Sequence, residues 1–185
     1  MNKLIIIGAI AGLLAGCAPS VSSTGPQFDF TDGARTFVLQ VDKKVIPAQN
    51  DTFIYATPLS EIRVKVARQY FNVEILNKSN QDLQVVWDNS GILLPDGRTS
   101  RIAAEQRTYV AKAPPQAPTV IDPQARLVDN FFPLVNLGTR TYSGVYADPM
   151  FVYPIKATTT VRLLISLEVG GQSSKTEFVF TAQPN

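Results

Sequence analysis

An antiparallel β-sandwich is the fold the sequence predicts, on three observations. Apolar residues recur at every second position through several short runs, no window sustains them at helical spacing, and polar or glycine-containing turns separate the runs. About eight strands of this kind read as one all-β domain of two packed sheets, with a closed barrel as the alternative that unequal strand lengths and the interrupted middle of the chain disfavour.

Taken in chain order, 36–41 and 52–56 are short strand candidates. Ile62, Val64 and Val66 then alternate with Arg63, Lys65 and Ala67, and Phe71, Val73 and Ile75 alternate with Asn72, Glu74 and Leu76. Successive side chains on a strand face opposite ways, so each apolar set lines one face. Residues 77–82 (NKSNQD) turn the chain, and Leu83, Val85 and Trp87 resume the alternation, so 69–76 and 83–88 are expected to pair as antiparallel neighbours. The alternation places Trp87 in the core, against the alternative of a sugar-stacking platform. Asp88-Asn89-Ser90-Gly91 reads as a turn, and Pro95-Asp96-Gly97 joins 92–94 to 98–103.

The strongest pattern closes the chain. Val161, Leu163, Ile165, Leu167 and Val169 share one strand face, with Arg162, Ser166 and Glu168 on the other. Phe178 and Phe180 continue the logic over 177–181, and Gly170-Gly171 supplies the positive backbone angles of a tight hairpin.

Residues 105–157 break the rhythm. Of the 13 prolines, seven lie between Pro114 and Pro154, so the segment reads as a long proline-rich insertion. The run AKAPPQAPTVIDPQARL is expected to cross between the sheets in extended form, because proline donates no ladder hydrogen bond. Short turns of helix are expected over 123–130 or 148–151. Aromatic residues are frequent here, and Tyr142-Ser-Gly-Val-Tyr146, with Phe151 and Tyr153, is the composition of an adaptable contact loop, which makes these four the candidate binding residues. The competing reading packs the same rings over the sandwich.

Histidine is absent, which removes Ser-His-Asp and Cys-His catalysis and the commonest transition-metal ligand. No phosphate-cradling glycine loop or EF-hand spacing occurs, so no cofactor and no metal is expected. Asp88 and Asp96 could serve as paired glycosidase carboxylates only if the fold brought them together, and both sit in turn sequence.

The front of the chain carries an address. Lys3, an apolar run from Leu4 to Leu14, and small residues before Cys17 form a secretory signal too short for a membrane span of about 20 residues. Leu14-Ala15-Gly16-Cys17 resembles the bacterial lipobox, which implies cleavage before Cys17 and lipid on its thiol. Cys17 is the chain's one cysteine, so no internal disulfide competes for it. Ala18 rather than aspartate follows, which under the family rule points to the outer membrane. The expected organisation is a signal peptide over 1–16, a lipidated tether over 17–27 and a sandwich domain over 28–185. Cleavage would remove one of 17 basic residues and none of the 15 acidic ones, leaving a balance of +1. That is no footprint for nucleic acid.

Residues 70–124, with LNKSNQDLQVVWDNSGILLPDGRTSRI followed by PPQAPTVIDP, resemble a pattern in bacterial lipoproteins with immunoglobulin-like sandwiches. There a strand ends in asparagine and a polar turn, the next carries a tryptophan, and a glycine turn leads to a third. The resemblance implies an immunoglobulin-like fold and no particular activity. The combined expectation is a non-enzymatic lipoprotein held at the outer membrane through Cys17, facing the periplasm or the surface, and contacting a protein of an envelope assembly. Glycan or peptidoglycan binding through the aromatic loops is the alternative.

Overall fold

A computed structural model of the chain describes residues 37–104, 115–140, 144–152 and 155–184. The strands run β1 (Phe37–Val41), β2 (Lys44–Ile46), β3 (Ala48–Gln49), β4 (Thr52–Ala56), β5 (Ser60–Val66), β6 (Phe71–Asn77), β7 (Leu83–Val85) and β8 (Gly91–Leu93). They continue through β9 (Thr99–Ser100), β10 (Ile102–Ala104), β11 (Thr119–Ile121), β12 (Arg126–Pro133), β13 (Leu137–Arg140), β14 (Gly144–Ala147), β15 (Thr159–Val169) and β16 (Gln172–Ala182). Among the described residues the only helical elements are 3-10 turns, at Trp87–Asn89 and Leu134–Asn136.

Two antiparallel sheets carry the fold. One has the order β11-β7-β15-β16-β1-β2, with β8 also beside β15 and β9 beside β8; the other runs β10-β12-β6-β5-β4-β3. The small β13–β14 hairpin stands apart from both. Strands change sheets at two corners: β2 passes through Pro47 into β3, and β9 passes through Arg101 into β10. Such corners let one chain close both margins of a sandwich.

Alternation decides what is inside. β1, β5 and β6 bury every second residue, and β15 buries Val161, Leu163, Ile165 and Leu167. The sheets meet through aromatic rings: Phe180 packs on Phe71 at 4.9 Å and on Phe53 at 5.7 Å, and Phe178 meets Tyr55 edge-on at 5.7 Å. Each fully buried ring contributes about 1.5–3 kcal/mol by leaving water, with about 0.5–1.5 kcal/mol more from favourable ring geometry.

The expected terminal hairpin is present, paired without interruption from Thr159↔Ala182 to Val169↔Gln172 around Gly170 (φ +57°) and Gly171 (φ +78°). The turn joining β8 to β9 is as expected too, with Ile92 opposite Ser100. Four expectations need correction. First, β6 and β7 are not partners: β6 lies between β5 and β12, whereas β7 lies between β11 and β15 in the facing sheet. Alternation reports which face is buried, and it is blind to which sheet a strand joins. Second, 98–103 is two strands in two sheets, broken at the Arg101 corner. Third, β12 replaces the expected helical turn over 123–130, and 148–151 is not helical either. Its inward positions Asp129 and Pro133 and its outward Val128 and Phe132 blur the alternation. Fourth, Ser166 is fully buried rather than solvent-facing. Its backbone closes the gap between β7 and β8 by donating to Ser90 Oγ (3.0 Å) and accepting from Val86 N–H (2.9 Å).

Candidate functional site

The aromatic loop nominated by the sequence divides. Tyr142 and Tyr153 lie outside the described residues. Tyr146 falls on β14, opposite Gly138 of β13. Phe151 is 1 % exposed and packs edge-on against Phe37 at 4.7 Å, so its ring belongs to the core. The segment around it is tied down through backbone: Met150 N–H donates to Arg68 C=O (2.8 Å), Gln69 Nε2 donates to Ala147 C=O (2.8 Å), and Asp148 N–H donates to Asn136 C=O (2.8 Å).

Trp87 is buried, on the 3-10 turn that follows β7. Its indole N–H donates to Thr119 Oγ1 at 2.9 Å, and its ring meets Phe131 edge-on at 5.2 Å. No face is left for a sugar. The carboxylates are engaged locally. Asp88 pairs with Arg101 and accepts the Gln116 backbone N–H, and Asp96 accepts Arg98 Nε at 2.6 Å and Arg98 N–H at 3.0 Å. The backbone bond first, then the guanidinium, holds the Asp96 carboxyl below its ordinary value. A general acid needs the opposite shift. Cys17 lies outside the described residues. Among those described, no three His, Cys, Asp or Glu side chains converge as a metal site would require, and no helix is long and apolar enough to cross a membrane.

A concave surface forms at one end of the sandwich, where β16 overshoots its neighbour β1 while β7 follows β15 to the hairpin turn. β1 ends opposite Phe178, at the Asp42-Lys43 turn, while β16 begins at Gln172. Among the described residues, 172–177 therefore have no strand partner on the β1 side, over about 20 Å at about 3.4 Å per residue. Two adjoining clefts of about 550 and 480 Å³ lie beside this overhang and share Pro58, Leu59, Val169 and Gln172.

Two local devices build the clefts. In the β4–β5 turn, Thr57 Oγ1 accepts the N–H groups of Leu59 (3.2 Å) and Ser60 (3.0 Å), which holds Leu59 outward at 47 % exposure. In the β6–β7 connection, the fully buried Asn77 is a clamp. Its Nδ2 donates to the carbonyls of Gln81 (2.7 Å), Ile121 (2.9 Å) and Asp122 (3.1 Å), and its Oδ1 accepts from Ser79 N–H (3.0 Å) and Ser79 Oγ (2.7 Å). Lys78 bridges the two turns, donating N–H to Leu59 C=O and Nζ to Thr57 C=O, both at 2.9 Å. The larger cleft adds Asn80 and Gln81; the smaller adds Tyr55, Leu83 and Leu167 below a rim of Ser174, Lys175 and Asp42.

Hydroxyls, amides and ammonium groups surround an apolar floor, a lining that offers both hydrogen bonds and apolar contact to a bound segment. Sequence reasoning nominated none of Leu59, Ser173 or Lys175. A signal was present: in QSSKTE the inward positions of β16, Gln172, Ser174 and Thr176, are polar, which marks a strand running past its core. No family model matches the chain, and no similar curated protein or solved structure was found.

Proposed function

We propose that the chain is an outer-membrane lipoprotein, anchored through lipid on Cys17, whose sandwich domain makes protein contacts at the end remote from its anchor. The observation that carries this reading is the sequence Leu14-Ala15-Gly16-Cys17, with its single thiol, ahead of the first described strand at Phe37. Two or three acyl chains give lasting attachment where one does not.

The topology supports a directional role. Phe37 pairs with Ala182, and the hairpin tip at Gly170-Gly171 lies at the other end of β16, about 35 Å away at about 3.4 Å per residue. A domain held from the Phe37 end would present its clefts away from the membrane. An immunoglobulin-like character belongs to the same proposal, supported by a tryptophan buried against the facing sheet. A non-enzymatic role draws support from the absence of histidine and from the arginine partners of Asp88 and Asp96. Glycan recognition draws less, since the Trp87 and Phe151 rings are buried.

The test is metabolic labelling with an alkyne palmitate. Wild type should label and fractionate with the outer membrane, and Cys17→Ser should do neither. Labelling of that variant at the wild-type level would overturn the anchor.

A further inference from the structure

The overhanging edge of β16 specifies its occupant more narrowly than the clefts alone do. In a two-residue hairpin the closing pair, here Val169↔Gln172, exchanges both backbone hydrogen bonds, and such pairs recur at every second residue. Gln172, Ser174 and Thr176 therefore spend their backbone groups on β15. Ser173 and Lys175 turn theirs to the other side, where β1 has already ended. Natural sheets cover such edges, shorten them or charge them, because an open row of N–H and C=O groups recruits another strand.

We infer that this edge binds an extended peptide segment of a partner protein by strand addition, with alternate apolar side chains entering the cleft beside Leu59 and an acidic side chain facing Lys175. The inference rests on the protein-contact reading above and deepens it. Three features fix the chemistry. Backbone groups on Ser173 and Lys175 demand a strand, since main-chain pairing supplies affinity in this mode and alternate side chains supply selectivity. The floor of Tyr55, Leu83 and Leu167 takes apolar groups at the two-residue repeat. The charged groups lining the two clefts are Lys78, Lys175 and Asp42, with Lys43 next in the turn, a positive excess that favours a carboxylate on the incoming strand.

The test uses the full-length protein with its anchor, in detergent, and a fluorescein-labelled peptide of sequence Val-Glu-Val-Thr-Val-Glu. Saturable binding is expected. Ser173→Pro should weaken it at least tenfold with an unchanged melting temperature, because proline is tolerated on an edge where the lost N–H made no ladder bond. Lys175→Glu should weaken it several-fold, and less so when lysine replaces glutamate in the peptide. The same peptide N-methylated at alternate amides should bind at least tenfold more weakly, which decides the matter even if Ser173→Pro melts early. No saturable binding, or equal binding of the methylated peptide, would overturn the inference. So would a concentration-dependent dimer abolished by Ser173→Pro, since the edge would then serve a second copy. None of these failures touches palmitate labelling or partner capture, so the parent reading is judged separately.

Discussion

Asn77→Ala is the most informative perturbation of the cleft end. The side chain is fully buried and makes five hydrogen bonds that fasten the β6–β7 connection to the end of β11. Their loss is unequal. The Gln81 carbonyl keeps a bond from Ser79 Oγ (2.8 Å), and the Asp122 carbonyl keeps one from Ala125 N–H (3.0 Å). The Ile121 carbonyl loses a buried bond but keeps its ladder partner Leu83, so a bond of about 1 kcal/mol is lost there, while the Ser79 N–H loses its acceptor without replacement. An orphaned buried group costs about 1–3 kcal/mol, so the variant should lose about 2–4 kcal/mol. Urea unfolding should show a midpoint about 1–2 M lower with an unchanged slope, and thermal unfolding should fall by about 5–15 °C. Asn80→Ala, at an exposed position in the same turn, should stay within about 0.5 kcal/mol. A loss below about 0.5 kcal/mol for Asn77→Ala would refute the clamp.

Three further outcomes follow from the same geometry. Ile165→Asp should prevent folding, since a lone charge among Val161, Leu163 and Leu167 must be desolvated at several kcal/mol, while Arg162→Asp should remain folded; limited proteolysis of the two compares them directly. Phe151→Ala should cost about 3–5 kcal/mol in denaturant melts, because its ring fills the core beside Phe37. The Asp96 carboxyl should titrate below the ordinary aspartate range by carbon-detected NMR, because the Arg98 backbone N–H and then its guanidinium favour the ionised form. Its folded-state pKa is depressed, so its contribution to stability holds above the unfolded value and disappears as pH falls through the folded one; titration in or above the ordinary aspartate range would contradict the Arg98 contacts.

The fold was legible wherever burial alternates cleanly. Val161 to Leu167 and Phe178 with Phe180 announce the central hairpin, because a two-residue period with a Gly-Gly turn has one economical geometry. Alternation failed where tertiary context chose between equivalent partners. The sequence of β7 fits either sheet, and its place in the facing one is fixed by contacts distant in sequence, among them the Asn77 clamp that ties the turn before it to Ile121 and Asp122. β12 was hidden for the opposite reason, with Asp129 inward and Phe132 partly exposed. Trp87 was rightly placed inside but wrongly placed on a strand, since the gap between β7 and β8 is bridged by Ser90 and Ser166 rather than by a continuous ladder. The cleft was least legible. Its edge arises from unequal strand lengths, a relation between β1 and β16 that neither segment contains alone.

Position-specific photo-cross-linking in intact cells tests the central claim most directly. A benzophenone side chain would replace Leu59 or Ser174 at the cleft end, and Gln183, an exposed residue beside the end where the chain enters β1, would serve as the comparison. The expected result is one discrete adduct from both cleft positions, identified by mass spectrometry as the same envelope protein, and none from Gln183. Adducts from Gln183 with none from Leu59 or Ser174 would contradict the assignment of the remote end as the contact surface.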